Sequence, residues 1–340
     1  MQTKILNALK DDFKDVINET SKILNSDGIV AIPTETVYGL AASAYSDTAI
    51  KKVFIAKGRP QDNPLIVHIS NLDMLKEVVE YMPESAVKCA ERFWPGPFTM
   101  VLPKSQKIAK SVSAGLSTVA VRMPNEPIAL DIINASGLPL AAPSANLSGS
   151  PSPTTANHVI ADLNGKIDAI VIGNDCKVGV ESTVVAFTEN GAKILRPGAV
   201  TLEDLSEIIP NVTVDKAVLQ KPKDDEKVAS PGMKYKHYAP KSDAYLVEGT
   251  AEQFISFVNE KENCAAICFD NEEKHIKVKA LPYGDKDREE TLAKNLFAIL
   301  REIDNYNFDK VYIHAPSKKG IGLAVYNRLI RAVGFRVIKL

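Results

Sequence analysis

Apolar and polar positions along this 340-residue chain fall into two alternating stretches with a polar break between them. From Lys14 to about Ile209, short apolar runs bounded by turn residues predict strands, and apolar positions three and four apart predict helices. Strands are expected at Gly28–Pro33, Pro64–Ser70, Phe98–Leu102, Thr118–Met123, Leu140–Ala142, Ala169–Ile172 and Thr183–Phe187. Helices are expected at Asp47–Lys57, Leu72–Tyr81, Pro127–Ser136 and Thr155–Leu163. Gly58 and Gly137 stand just past two of them, where a left-handed residue ends a helix without steric penalty. The irregular spacing and close strand pairs imply an α/β fold built on a mixed sheet, not a simple parallel wind. Asn211 to Ser242 breaks the pattern: KPKDDEK is a solvated charge run, and SPGMKYKHYAPK lacks apolar periodicity.

Beyond the break the alternation becomes more regular. Strands are expected at Ala244–Val247, Ala265–Phe269, Val278–Leu281, Val311–His314 and Phe335–Lys339. Helices are expected at Ala251–Asn259, Glu289–Tyr306 and Leu323–Val333, giving a small βαβ-type unit. The expected organisation is therefore residues 1–209, a linker over 210–242, and a smaller unit over 243–340.

Composition narrows the function classes. A hydrophobic content of 45% is ample for packed cores. The net charge of -1 is unlike that of a strongly basic nucleic-acid binder, so any anionic ligand must meet a local cluster of cations. The four cysteines are scattered, and the close pair Cys264 and Cys268 lies in CAAICF, which reads as a buried strand. No zinc-type spacing accompanies it, and no metal ligands are assigned. The opening MQTKILNALKDDFKD has no apolar signal core, and no run reaches membrane-spanning length. A soluble cytoplasmic protein with no membrane partner is expected.

Five polar stretches could carry chemistry. In PTETVYGL, Thr34, Glu35 and Thr36 follow a strand, where open α/β sheets bind ligands; a turn with satisfied hydroxyls is the plain alternative. Lys57-Gly58-Arg59-Pro60, with Asn63, sends two cations off a helix end, although dipole complementation alone accounts for Lys57. The next strand carries His68 among apolar neighbours, a pattern more typical of a satisfied core histidine. Arg122 ends an alternating strand, either at an exposed edge or buried against a partner or anion. APSANLSG, Ala142–Gly149, with Ser152, Thr154 and Thr155, is rich in hydroxyl and amide donors suited to phosphate; helix capping by Ser152 and Thr154 is the alternative. Glu181-Ser182-Thr183 enters a strand, and Arg196 sits where another gives way to a turn. Walker, dinucleotide-fingerprint, nucleophile-elbow and zincin motifs are all missing, so a bound nucleotide would need scattered cations and hydroxyls.

Taken in order, these stretches resemble the YrdC-type threonylcarbamoyl-AMP synthases in their longer two-domain form. The resemblance is carried by GIVAIPTETVYGL, KGRPQDNPLIVHI, WPGPFTMVL, VAVRMP, PSANLSG, ESTVV and ILRPG. It continues through the linker SPGMKYKHYAP and, more weakly, GIGLAVYNRLIRA. It implies a YrdC-like twisted mixed sheet followed by a small Rossmann-like domain. It also implies an ATP-consuming nucleotidyltransferase that joins L-threonine, bicarbonate and ATP into threonylcarbamoyl-adenylate, releasing pyrophosphate. A separate transferase would then modify the adenosine next to the anticodon of certain tRNAs. The family pattern places Thr36, His68, Arg122, Ala142 and Ser182 around threonine. It places Lys57, Arg59, Asn63, Thr118, Ser144, Asn146, Ser152 and Arg196 around the nucleotide, with Lys57 and Arg59 as the catalytic cations. Tyr238, with Tyr235 and His237 as candidates to join it, resembles a lid, and Mg²⁺ is expected to arrive with the phosphates.

Two rivals remain at this point. The same cations could bind RNA without catalysis. A hydrogenase-maturation carbamoyl transferase embeds a similar domain, but its zinc-type cysteine pairs and acylphosphatase module are absent here. In the last hundred residues Lys318, Lys319, Asn327 and Arg328 could meet tRNA or a partner, but a solvated surface is the reading the sequence favours.

Overall fold

The computed structural model describes residues 2–220 and 238–340, so Tyr235 and His237 lie outside the described residues. Chain order begins β1 (Lys4–Asn7), α1 (Phe13–Asn25), β2 (Val30–Ile32), β3 (Gly39–Ser43), α2 (Asp47–Lys57) and β4 (Ile66–His68). It continues α3 (Leu72–Val78), α4 (Glu84–Phe93), β5 (Phe98–Pro103), β6 (Thr118–Arg122), α5 (Pro127–Ser136) and β7 (Leu140–Ala141). Next come α6 (Ala156–Leu163), β8 (Ala169–Ile172), β9 (Thr183–Thr188), β10 (Gly191–Arg196), α7 (Leu202–Ser206) and β11 (Val212–Val214).

These strands form one mixed sheet in the order β1-β8-β2-β3-β7-β4-β6-β5-β9-β10-β11. Ser46 caps the start of α2 through its side chain, and Gly58 at φ 60° ends it, the ending the sequence predicts. Thr155 caps α6, so Ser152 and Thr154 do not serve as its cap. Strand β11, inside the stretch that looked patternless, pairs parallel to β10 as an edge strand.

Period-two alternation sorts the central strands into two faces. Val67, Val119 and Val121 point into a large core that also takes Val53 and Phe54 of α2 and Cys89 of α4. Helices α1 and α5 pack on the β1–β8–β2 end, around Val16, Leu24, Ile132 and Val171. Over the middle strands, Ile66, Ala120, Val184 and Leu195 form only a small apolar cluster. His68 and Arg122 alternate in step with Ile66 and Ala120, so both belong to this sparsely covered face.

The remaining elements are β12 (Asp243–Glu248), α8 (Ala251–Asn259), β13 (Cys264–Cys268), β14 (Lys279–Pro282), α9 (Glu289–Glu302), β15 (Lys310–His314), α10 (Gly320–Ala332) and β16 (Val337–Lys339). They build a second, all-parallel sheet ordered β14-β13-β15-β12-β16. The two sheets share an interior: Val37 and Val180 from the first half enter the core formed by Phe297, Leu300 and Tyr326 of the second. Gly179, at φ 84°, lies against the backbone of α9, where an added Cβ would fall 2.3 Å from Lys294 Cα. Arg301 of α9 pairs with Asp162 at 2.8 Å across the same junction. Among the described residues, no helix is long and apolar enough to cross a membrane.

Candidate active site

A cleft lies over the sparsely covered face, where the second half docks. Thr36, Lys57, Arg59, His68, Arg122, Ala142, Ser144, Asn146, Ser182, Arg196 and Tyr238 all line it, so eleven residues named from the sequence meet in one place. Asn63 and Ser152 are buried behind the wall rather than on it, and Thr118 begins β6 away from the lining.

On one side, the strand register sets His68 beside Arg122. Arg122 is buried, which removes the exposed-edge reading. Its Nε donates to the Gly96 carbonyl at 3.2 Å and its Nη1 to Thr36 Oγ1 at 2.8 Å. Its Nη2 lies 2.6 Å from Glu35 Oε2, a close ion pair not aligned for a hydrogen bond. Part of the guanidinium fork therefore already serves the protein, leaving one N–H of Nη1 and the two of Nη2 without a hydrogen bond. The Thr34 hydroxyl, which donates to the Val37 carbonyl at 2.7 Å, accepts from Thr36 N–H at 3.2 Å and so fixes the PTETV turn. Glu35, expected with Thr34 and Thr36 at a ligand-binding strand end, proves to be the buried counter-charge of Arg122.

His68 is buried, and its Nδ1 lies 3.3 Å from the Ile66 carbonyl. Burial, reinforced by Arg122, pushes its pKa from 6.5 down to about 3, so the ring is neutral at physiological pH. The unfolded chain gains a proton on His68 below 6.5, whereas the folded one holds out until about 3, so stability falls as pH drops through that window. At about pH 5 this amounts to about 2 kcal/mol, and His68→Gln should abolish that part of the difference between pH 7 and 5 in urea unfolding. An unchanged pH slope in the variant would refute the assignment.

On the other side, Lys57 turns inward from the last turn of α2. Its ammonium donates to the carbonyls of Ser144 and Asn146, the latter at 2.6 Å, and to Asn146 Oδ1 at 3.4 Å. Burial, and then Arg59, hold its pKa well below the usual lysine value. Ser148 N–H returns to the Lys57 carbonyl at 2.8 Å, so the PSANLS segment is tied to the helix end from both directions. Arg59 leaves the helix on the segment after Gly58 and donates weakly to the Pro64 carbonyl at 3.5 Å.

Arg196 reaches the cleft because a bulge shifts the β9–β10 register between Ile194 and Arg196. Its Nε donates to the Ser182 carbonyl and its Nη2 to Ser182 Oγ, both at 3.0 Å. Ser182 Oγ also bonds Thr99 Oγ1 at 2.7 Å. Burial, with Arg328 beside it, lowers Arg196 to about 10. Tyr238, at φ 62°, covers one side of the cleft with its ring packed 5.0 Å from that of Phe297. Burial raises its phenol above the usual range, so it is a neutral wall. Among the described residues no group of three or more His, Cys, Asp and Glu side chains is gathered to hold a metal ion.

Asn327 and Arg328, expected on a solvated surface, are both buried. Helix α10 is enclosed from Gly322 to Ala332 without a break, so it has no polar face there. Lys318 does stay at the surface, paired with Glu248 at 2.7 Å.

Residues 22–198 match the family of Sua5, YciO and YrdC, described as Telomere recombination. Residues 200–334 match a family described as the threonylcarbamoyl-AMP synthase C-terminal domain. The chain is 45% identical over 320 residues to the threonylcarbamoyl-AMP synthase of Pyrococcus abyssi, covering 92% of each. It is 43% identical to that of Bacillus subtilis, over 95% of this chain and 94% of the relative. Among solved structures, P. abyssi Sua5 complexed with L-threonine is similar at a TM-score of 0.88 and 40% identity, over 100% of both chains. A doubly substituted P. abyssi Sua5 gives 0.91 and 41%, over 100% of this chain and 98% of that one.

Proposed function

The chain belongs to the threonylcarbamoyl-AMP synthase family, in the form carrying the C-terminal domain, and from that premise we propose that it makes L-threonylcarbamoyl-adenylate. Its substrates are L-threonine, bicarbonate and ATP, and pyrophosphate leaves. The product supplies a separate transferase that modifies the adenosine next to the anticodon of tRNA. The observation that carries this reading is the one cleft lined together by Thr36, His68 and Ser182 and by the cations Lys57, Arg59, Arg122 and Arg196.

In the first pocket Thr36, His68, Arg122, Ala142 and Ser182 receive threonine. Its carboxylate meets the N–H groups that Arg122 has left, and neutral His68 accepts or donates without adding charge. The amine nitrogen bonds to the bicarbonate carbon, water leaves, and a carbamate results. A carbamate oxygen then bonds to the α-phosphorus of ATP as the bond to pyrophosphate breaks. Every reacting group is anionic, so the protein contributes positioning and compensating charge. Arg59 and Arg196 compensate phosphate charge. Lys57 holds the Ser144–Ser148 segment, whose hydroxyl and amide groups line the nucleotide side, with Asn63 and Ser152 buried behind it. Mg²⁺ would come as the companion of ATP and would supply charge compensation for its phosphates, since the carboxylates of Glu35 and Glu181 are each already paired with an arginine. Tyr238 helps exclude water that would hydrolyse the carbamate and the mixed anhydride.

Binding of RNA by the same cations is disfavoured by their burial: Lys57, Arg122 and Arg196 are 2%, 4% and 9% exposed, out of reach of a polymer backbone. The test is mass-resolved L-threonine incubated with bicarbonate, ATP, Mg²⁺ and the purified chain. Threonylcarbamoyl-adenylate should appear, and should vanish without bicarbonate. Pyrophosphate release at background from folded protein would sink the proposal.

A further inference from the structure

Arg328 heads the large side chains that are fully buried among the described residues, and it serves the opposite half of the molecule. From α10 its Nε donates to Glu181 Oε2 at 2.9 Å and its Nη2 to the Glu181 carbonyl at 3.2 Å. Its Nη1 donates to the Pro197 carbonyl at 2.6 Å. Glu181 and Pro197 directly flank Ser182 and Arg196, which bond to each other at the cleft. The other oxygen of Glu181, Oε1, accepts from Ser152 Oγ at 2.6 Å. One guanidinium from the second sheet thus fastens both chain segments that present Ser182 and Arg196.

We propose that Arg328 is a positioning residue for the reaction: by pairing with Glu181 it leaves the neighbouring Arg196, bonded to Ser182, outside any direct ion pair when it meets the nucleotide phosphates. The inference rests on the synthase reading and gives the second sheet a task in it, completion of the nucleotide pocket. Four charged or titratable groups face Glu181: Arg328 from α10, Arg196 from β10, Lys57 from α2 and Tyr238. Burial opposes ionisation of Glu181, yet Arg328 and then Arg196 hold its carboxyl down at about 2. Among the described residues Arg196 forms no ion pair, whereas Arg328 and Glu181 do. With Arg328 gone, the buried carboxylate has Arg196 as its nearest remaining guanidinium. Pairing with it would cancel the charge that ATP needs.

The test compares Arg328→Met, Glu181→Gln and the double variant in the full chain, reading ATP binding by calorimetry and then adenylate formation. Arg328→Met should weaken ATP binding by ~10²-fold, the scale of losing one pre-aimed charge. Adding Glu181→Gln should recover about tenfold of that, because the carboxylate that captures Arg196 is removed. The Arg328→Met deficit should also shrink as pH falls, since Glu181 without Arg328 protonates more readily and releases Arg196. If Arg328→Met does not fold, Arg328→Lys with and without Glu181→Gln makes the same comparison, with a smaller loss. ATP binding within twofold of the parent, or a loss that Glu181→Gln leaves untouched, overturns the proposal and makes Arg328 purely structural. Because binding is read without turnover, failure of the unsubstituted chain to make adenylate is a separate result that strikes the synthase reading instead.

Discussion

An alanine at Lys57 is expected to lower threonylcarbamoyl-adenylate formation by ~10²–10³-fold and to loosen the Ser144–Ser148 segment at the same time. Both effects follow from one ammonium with its three donors on Ser144 and Asn146. Removing it leaves buried acceptors unpaired at roughly 1–3 kcal/mol each, enough to shift a short loop. Arginine should rescue poorly, because a planar fork cannot point three ways at one spot. Hydrogen exchange across Ser144–Ser148, measured beside product formation, separates this account from a purely electrostatic one. Faster exchange with lost activity is expected. Unaltered protection in an inactive variant would return Lys57 to the role of a charge at the reacting phosphate, the role its place beside Arg59 implies in sequence.

Arg122→Leu should lower folding stability by about 3–5 kcal/mol, the usual consequence of stranding one member of a buried ion pair. Glu35 is 6% exposed, and neither of its side-chain oxygens has an aligned hydrogen-bond donor, so nothing else among the described contacts takes over. Urea unfolding of the single variant and of Arg122→Leu combined with Glu35→Leu tests this. The pair of leucines should regain most of the stability and none of the threonine saturation, dividing the structural from the binding role of Arg122. A single variant as stable as the parent would show that the Glu35–Arg122 contact carries little energy.

The contrast between these two sites shows what the sequence could reveal. Helix α2 and helix α5 were legible to the residue because caps, apolar spacing and a terminal glycine agree locally. The polar residues of the cleft were legible as types, since Lys57, His68, Arg122 and Arg196 end a helix or strand and Ser144 and Asn146 lie in a donor-rich loop after one. Their partners were not. Glu35 with Arg122, and Glu181 with Arg328, join positions 87 and 147 residues apart, and no local period encodes such a pairing. Arg328 was misplaced because amphipathic reasoning assumes that one helix face meets water, and α10 has none over its central turns. Strand β1 escaped notice because KILN is short and half exposed, too brief to establish a period.

That same strand has a consequence for how the chain reaches its native state. β1 pairs in parallel with β8, Lys4 opposite Ala169, and the hydroxyl of Thr3 donates to the carbonyl of Ile167 at 2.6 Å. At roughly 5–20 residues per second of synthesis, the first strand waits on the order of ten seconds before its partner exists. Through that interval it is an open edge, shielded from other chains by its brevity and by Lys4. Closure of such a distant contact sets a slow step, so refolding in vitro should be governed by when β1 meets β8, not by how fast the helices form.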